Sequence, residues 1–343
     1  MIDRLFVVLG AGASYDCAAQ PFVSNAKLRP PLVRELFDER FQEILARYPF
    51  AQAAAADIVP LLGSDSTFQL EQHIRTQYRE GTHELAQRKY LALPLYLQEV
   101  LYTCGAHFAR SPDAYDRLIT AVSEFPHVSF VTLNYDTLLD DRLFMLGADP
   151  SSMLWYVSGL SQWSLFKLHG SVNWGRRCTL PEHLSFRSPR PDLSRWLEDT
   201  ITLCRSESFG ELRERRLGTG IERYYPALSV PVGAADELVC PAEHVIALRE
   251  QLHKAEPAHL LVIGYSGLDQ EVLQLLRRDR TRIGSITVVD KGAAAEQALH
   301  AMLEGLRLRM GNLQFHGVHK QGFHAFSRNG LGDYVTLVKQ QAQ

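Results

Sequence analysis

One pattern constrains this chain more than any other. A short, continuously apolar run ends in a polar turn and is followed by a helical stretch, and the sequence repeats this several times. Leu5-Phe-Val-Val-Leu9 runs into Gly10-Ala-Gly-Ala-Ser14, and Val128-Ser-Phe-Val-Thr132 into Leu133-Asn-Tyr-Asp136. Leu165-Phe-Lys-Leu168 ends in His169-Gly-Ser171, His259-Leu-Leu-Val-Ile263 in Gly264-Tyr-Ser-Gly267, and Ser285-Ile-Thr-Val-Val289 in Asp290-Lys-Gly292. A further strand is expected between Leu313 and Val318. Apolar strands without alternation are buried on both faces, which favours parallel pairing. Helical patterns follow at Asp136 to Leu146, Asp269 to Arg277 and Ala293 to Leu303. The expected fold is α/β: a Rossmann-like, mostly parallel sheet with helices on both faces, plus a helical insertion.

Two stretches break the pattern. Residues 31–126 place Leu32, Leu36, Ile44, Leu45, Leu91, Leu95, Val100 and Leu101 near helical spacing, so they read as a helical insertion. Residues 174–241 are rich in Arg, Pro and Ser with weak periodicity, and read as a loop-and-helix insertion over one end of the sheet. The sheet domain is then expected from 1–30 and 127–343. A length of 343 residues suits about two domains, or one domain with insertions.

Composition excludes several classes. With 46% hydrophobic and 22% charged residues the chain has the usage of a globular protein, not a disordered one. No run of about 18 uncharged apolar residues is present to span a membrane. A formal net charge of −3 supplies no strong field toward nucleic acid. Five cysteines, at 17, 104, 178, 204 and 240, form no C-x-x-C pair, so neither a disulfide framework nor a zinc ribbon is expected. The first ten residues read as a strand entering a glycine turn rather than as a signal peptide, and the expected location is cytoplasmic.

Each polar motif falls at the carboxyl end of a strand, the edge at which open α/β sheets bind ligands. In Gly10-Ala11-Gly12-Ala-Ser14 the glycines allow close backbone approach to a phosphate, or make an ordinary tight turn; Ser14 can cap or donate. In Thr132-Leu-Asn134-Tyr-Asp136 the two polar side chains can face one cleft, or Asp136 caps the next helix. In Lys167-Leu-His169-Gly-Ser-Val-Asn-Trp174, His169 is suited to proton transfer near neutrality. Gly264-Tyr-Ser266 can present N–H groups and a hydroxyl, and Asp290 can receive ribose hydroxyls or cap a helix. Asp269 is expected to start the helix that follows Ser266.

In this order, G-A-G-A-S, T-x-N-x-D, K-L-H-G-S, I-G-Y-S-G-x-D and V-V-D resemble the sirtuin superfamily. The resemblance is to the bacterial sirtuin-like, NAD-consuming, anti-phage branch. It implies that Gly10, Ala11, Gly12 and Ser14 line a pyrophosphate, that Asn134 and Asp136 sit by the nicotinamide ribose, and that Thr132 is among the cofactor-binding residues. It further implies that His169 is the catalytic base, and that Gly264, Ser266 and Asp290 hold the adenosine half. The two C-x-x-C pairs of deacetylating sirtuins are missing, and Gln20-Pro21-Phe22 only faintly echoes their G-I-P-D-F-R stretch.

The expected function is therefore hydrolysis of NAD, as substrate and without a metal, to nicotinamide and ADP-ribose, as a regulated NAD-depleting effector of anti-phage defence. The alternatives are an NAD-dependent protein deacylase or ADP-ribosyl transferase, and a module that binds NAD or ADP-ribose without chemistry. A free hydrolase would be toxic. Control is thus expected through a homo-oligomer or a partner such as a HerA-type ATPase-helicase or an Argonaute-type protein, with no direct contact to nucleic acid or membrane. The helical insertion and the Arg-rich stretch from Arg187 to Arg216 are the candidate control surfaces.

Overall fold

A computed structural model describes residues 4–18, 28–62, 84–108, 113–145, 153, 155–158, 162–178, 209–214, 224–229, 239–255, 257–277 and 282–341. The chain forms two compact units. The first takes in residues 1–30, 107–168 and 242–343, the second 31–106 and 169–241.

The first unit carries a six-stranded parallel sheet in the order β3-β2-β1-β7-β8-β9. Its strands are β1 (Arg4–Leu9), β2 (His127–Thr132), β3 (Trp163–Lys167), β7 (Ala258–Ile263), β8 (Ile283–Val289) and β9 (Phe315–His319). This is an α/β, Rossmann-like sheet. The central strands β7 and β8 are buried along their whole length, as β1 is beyond Arg4, because helices cover both faces. Helix Ala294–Gly305 packs on β8 and β9, and helix Ala242–Lys254 on β3. The order reverses at β1: the chain leaves it toward β2 and β3, then returns on its other side through β7.

The boundary of this unit lies at His107 rather than at 127. The helix Asp113–Val122 is the reason. It packs on helices Phe323–Asn329 and Leu331–Gln340, sets Tyr115 edge-on to Phe323 at 5.4 Å, and receives a main-chain bond when Ala114 donates to the Cys17 carbonyl.

Two buried histidines tune this unit to pH. His259 on β7 is paired in register with Ser285 on β8, bonds its hydroxyl through Nδ1 at 2.7 Å and stacks on Phe315 of β9. His244 bonds the Met153 carbonyl through Nε2. Burial lowers both to about 4. The unfolded chain therefore binds protons below about pH 6.5 that the folded chain refuses until about 4. Stability is intact above pH 6.5 and falls as pH drops toward 4, by up to about 1.4 kcal/mol per pH unit for each histidine. Urea midpoints at pH 7 and pH 4.5 measure this. His259→Gln is expected to shrink the difference between them by about 2 kcal/mol, and an unchanged difference counts against His259 as the titrating group.

The second unit joins helices Pro49–Leu62 and Glu84–Phe108 to a three-stranded antiparallel sheet, β5-β4-β6. Its strands are β4 (Gly170–Cys178), β5 (Phe209–Glu214) and β6 (Tyr224–Leu228). The long helix is tied to this sheet by Gln98 Nε2 donating to the Val172 carbonyl and by the Tyr225 hydroxyl donating to the Leu91 carbonyl. The stretch expected as loop and helix from 174 is thus partly sheet, and the sheet begins earlier, at Gly170. Trp174 is fully buried. Gln20-Pro21-Phe22 and most of Arg187 to Arg216 lie outside the described residues. Among the described residues no helix is long and apolar enough to cross a membrane.

Candidate functional site

At the carboxyl edge of the parallel sheet the hydrogen-bond ladder continues past the strand ends. Leu133 N–H donates to the Leu9 carbonyl, Gly10 N–H to Ile263, Gly264 N–H to Val289, and Leu168 N–H to Thr132. Gly12 N–H donates to the Gly264 carbonyl at 3.0 Å. The turn after β1 and the turn after β7 are thus interlocked by main chain. A Cβ on Gly10 would stand 2.4 Å from the Gly264 carbonyl oxygen, and one on Gly12 would stand 2.8 Å from the Gly264 Cα. Of the two readings of the glycines, the tight turn describes what their backbone does. The N–H groups of Gly10 and Gly12 are used within the fold, while Ala11 opens the short helix Ala11–Tyr15.

Ser14 sits in that helix, buried, at the centre of a polar cluster. Its hydroxyl lies 3.0 Å from the Tyr115 hydroxyl and accepts from Asn134 Nδ2 at 3.0 Å. A hydroxyl has one proton and two lone pairs. With Asn134 Nδ2 donating to it, Ser14 keeps its proton and one lone pair for the Tyr115 hydroxyl. Nδ2 faces Ser14, and Oδ1 is left buried with no hydrogen-bond partner.

The Asn134 backbone is fixed from the other side, because its N–H donates to the Thr132 hydroxyl at 3.0 Å. Asp136 accepts the Leu138 N–H at 3.0 Å, so it initiates the helix Leu138–Phe144. Its carboxyl is held above the usual carboxylate range by burial, a shift opposed by the Lys167 ammonium and by the Ser14 hydroxyl. The cap is the reading of Asp136 that the Leu138 bond describes.

Sequence reasoning missed four members of this assembly: Lys167, Asp140, Tyr156 and Tyr115. Lys167, fully buried at the end of β3, donates to the Asp136 carbonyl at 2.6 Å and to both Asp140 carboxylate oxygens at 3.0 and 2.9 Å. Tyr156 donates to the same carboxylate at 3.2 Å. Tyr115 arrives from a separate helix. A buried ion pair is weak evidence for stability, but removing one partner strands the other and costs about 3–5 kcal/mol.

His169, at which the chain re-enters the second unit, is half-buried, and its carbonyl accepts the Ser229 N–H at 2.9 Å. The adjacent Gly170 has φ of 81°, and a Cβ there would stand 2.1 Å from the Ala227 carbonyl oxygen. That glycine is required by the approach of β6. In the first unit Ser266 is exposed, and Tyr265 and Asp269 bond each other, with Asp269 capping the helix Gln270–Arg277 through the Val272 N–H. Asp290, at the end of β8, accepts the Lys291 N–H at 2.7 Å and is raised chiefly by burial. Among the described residues no group of three or more His, Cys, Asp or Glu is placed to hold a metal.

No protein-family model matches the chain, and a search of curated proteins returns no match. Solved structures similar to it are Sir2 homologues. A mutant Sir2 homologue in complex with ADP-ribose is 10% identical, with 99% of this chain and 94% of that one covered and a TM-score of 0.38. A Sir2 homologue–NAD complex is 11% identical, with 100% and 91% covered and a TM-score of 0.37.

Proposed function

We propose that the chain hydrolyses NAD, releasing nicotinamide and ADP-ribose. The observation that carries this reading is the unpartnered Oδ1 of Asn134. A buried acceptor without a donor costs about 1–3 kcal/mol, and native folds keep such groups chiefly where a ligand, water or reaction uses them. A ribose hydroxyl or an ordered water supplies the missing donor. Two further features support the reading. Strand order β3-β2-β1-β7-β8-β9 is the order in which dinucleotides bind at the reversal point beside the first strand. The motifs quoted above resemble those of NAD-consuming sirtuin-like domains.

The bond between ribose C1′ and the cationic nicotinamide nitrogen breaks, its electron pair leaves with nicotinamide, and no acid is needed for that neutral leaving group. The transition state is oxocarbenium-like. In this proposal Asn134 orients the ribose or the attacking water, and Asp136 holds Asn134. His169 takes the proton from the ribose hydroxyl or from the water that adds to C1′. Ser266 and Asp290 are assigned to the adenosine half. We assign the pyrophosphate to the turn Gly10–Ser14 as a surface; the N–H groups of Gly10 and Gly12 and the Ser14 hydroxyl are already used within the fold. The activity is restrained in the cell by self-association or by a regulatory partner, and its release serves anti-phage defence.

Incubation of the purified chain with NAD, following nicotinamide by chromatography, tests the reading. His169→Ala is expected to lower the rate at least about a hundredfold; an unchanged rate removes His169 from the mechanism. Acetyl-ADP-ribose formed with an acetylated peptide would replace hydrolysis by deacylation. Saturable NAD binding with no nicotinamide released would replace it by a binding module.

A further inference from the structure

The stretch 133–137 that carries Asn134 and Asp136 has no helix or strand of its own, so something outside it must hold its shape. The Lys167 ammonium has three protons and three acceptors around it: the two oxygens of Asp140 and the main-chain carbonyl of Asp136. Lys167 and Asp140 are 0% and 1% exposed. Well-packed apolar side chains of similar volume serve stability as well as such a pair, or better. The pair alone therefore does not account for a lysine here, but its third bond reaches into the stretch that carries Asn134. That bond lands on the main chain two residues from Asn134, whose Nδ2 in turn donates to Ser14.

We propose that Lys167 is a positioning residue for the Asn134 amide, acting through the Asp136 carbonyl, with Asp140 and Tyr156 holding the ammonium in place. Its catalytic consequence rests on the NAD-hydrolase reading above; its structural consequence does not. Lys167 also stands two residues before His169 in the chain, so one strand end fixes the Asn134 stretch and leads directly into the proposed base.

The test compares Lys167→Met, Asp140→Leu and the double variant with wild type, and uses Val338→Ala, a buried site on helix Leu331–Gln340, as a destabilised control. Urea midpoints, amide hydrogen exchange at Asn134 and Leu138 relative to Leu261 in β7, and kcat and KM for nicotinamide release are measured. The single variants are expected to lose stability and the double variant to regain it. In the double variant exchange at Asn134 and Leu138 is expected to rise at least about tenfold over that at Leu261, and kcat to fall about a hundredfold with KM little changed. Wild-type exchange and kcat in the double variant would overturn the proposal and leave Lys167 a structural pair. If the double variant stays destabilised, exchange at the two amides decides. Acceleration no greater than in Val338→Ala overturns the proposal, and acceleration beyond it supports the proposal. Failure of wild type to release nicotinamide sinks the hydrolase reading, and the exchange measurements still judge Lys167.

Discussion

Replacing Asn134 with alanine is expected to remove at least about 99% of nicotinamide release while leaving stability within about 1 kcal/mol of wild type. The two halves of this expectation have one cause. The side chain contributes one bond, from Nδ2 to Ser14, worth about 1 kcal/mol net, and carries one buried acceptor that costs about 1–3 kcal/mol. Truncation removes both, and the small space it leaves offsets the remainder. A residue kept for packing behaves otherwise: its loss destabilises and activity follows in proportion. Nicotinamide release and urea midpoints on the same preparation separate the cases. A large fall in midpoint, or an unchanged rate, would make Asn134 part of the scaffold and withdraw the acceptor argument. Asn134→Asp is a useful companion, since it places a second carboxylate beside buried Asp136 and is expected to destabilise where alanine does not.

The strands of the parallel sheet were legible because burial on both faces leaves few polar positions. Leu5–Leu9 and His259–Ile263 are apolar runs for that reason, His259 being admitted by its bond to Ser285. Edge strand β9, Phe-His-Gly-Val-His, is partly exposed and was legible only as a short run near its true place. The antiparallel sheet was not legible. β4 starts one residue after His169, and Ser171 and Val172 are both buried, so the alternation that marks a half-buried strand is absent where it begins.

At the site, residues at strand ends could be read locally, but their partners could not. Tyr115 reaches Ser14 across 101 positions in sequence, and nothing near Tyr115 announces it. Lys167 did carry a signal. A lysine inside Leu165-Phe-Lys-Leu168, a run expected to be buried, demands a buried acceptor. Asp140, one turn into the helix that follows Asp136, was the available carboxylate. The glycines left two readings open because the same freedom from a Cβ serves a phosphate and a neighbouring main chain alike. Only the position of Gly264 distinguishes them.

Gly264→Ala is accordingly expected to be among the most damaging single-methyl additions in the sheet unit. At φ of 59° an alanine pays about 1–2 kcal/mol for the left-handed conformation. Its Cβ would also stand 2.1 Å from the Ala13 nitrogen and 2.3 Å from the Gly12 carbonyl carbon. Both are main-chain atoms, so no side chain can turn aside, and relief requires the turn after β1 to move and the Gly12 N–H to leave the Gly264 carbonyl. Overpacking of this kind adds about 1–3 kcal/mol, for a total of about 2–5 kcal/mol. That is a large share of the 5–15 kcal/mol typical of a domain. Gly292 supplies the control. It has φ of 58° and nothing within 4 Å of an added Cβ, so Gly292→Ala carries the conformational cost alone, about 1–2 kcal/mol. Urea midpoints of the two variants isolate the contact by difference. Equal losses would mean that the interlock of the two turns contributes nothing. A Gly264→Ala chain that folds but has lost nicotinamide release would instead show that the displaced turn carries Ser14, and with it the orientation of Asn134, away from its working position.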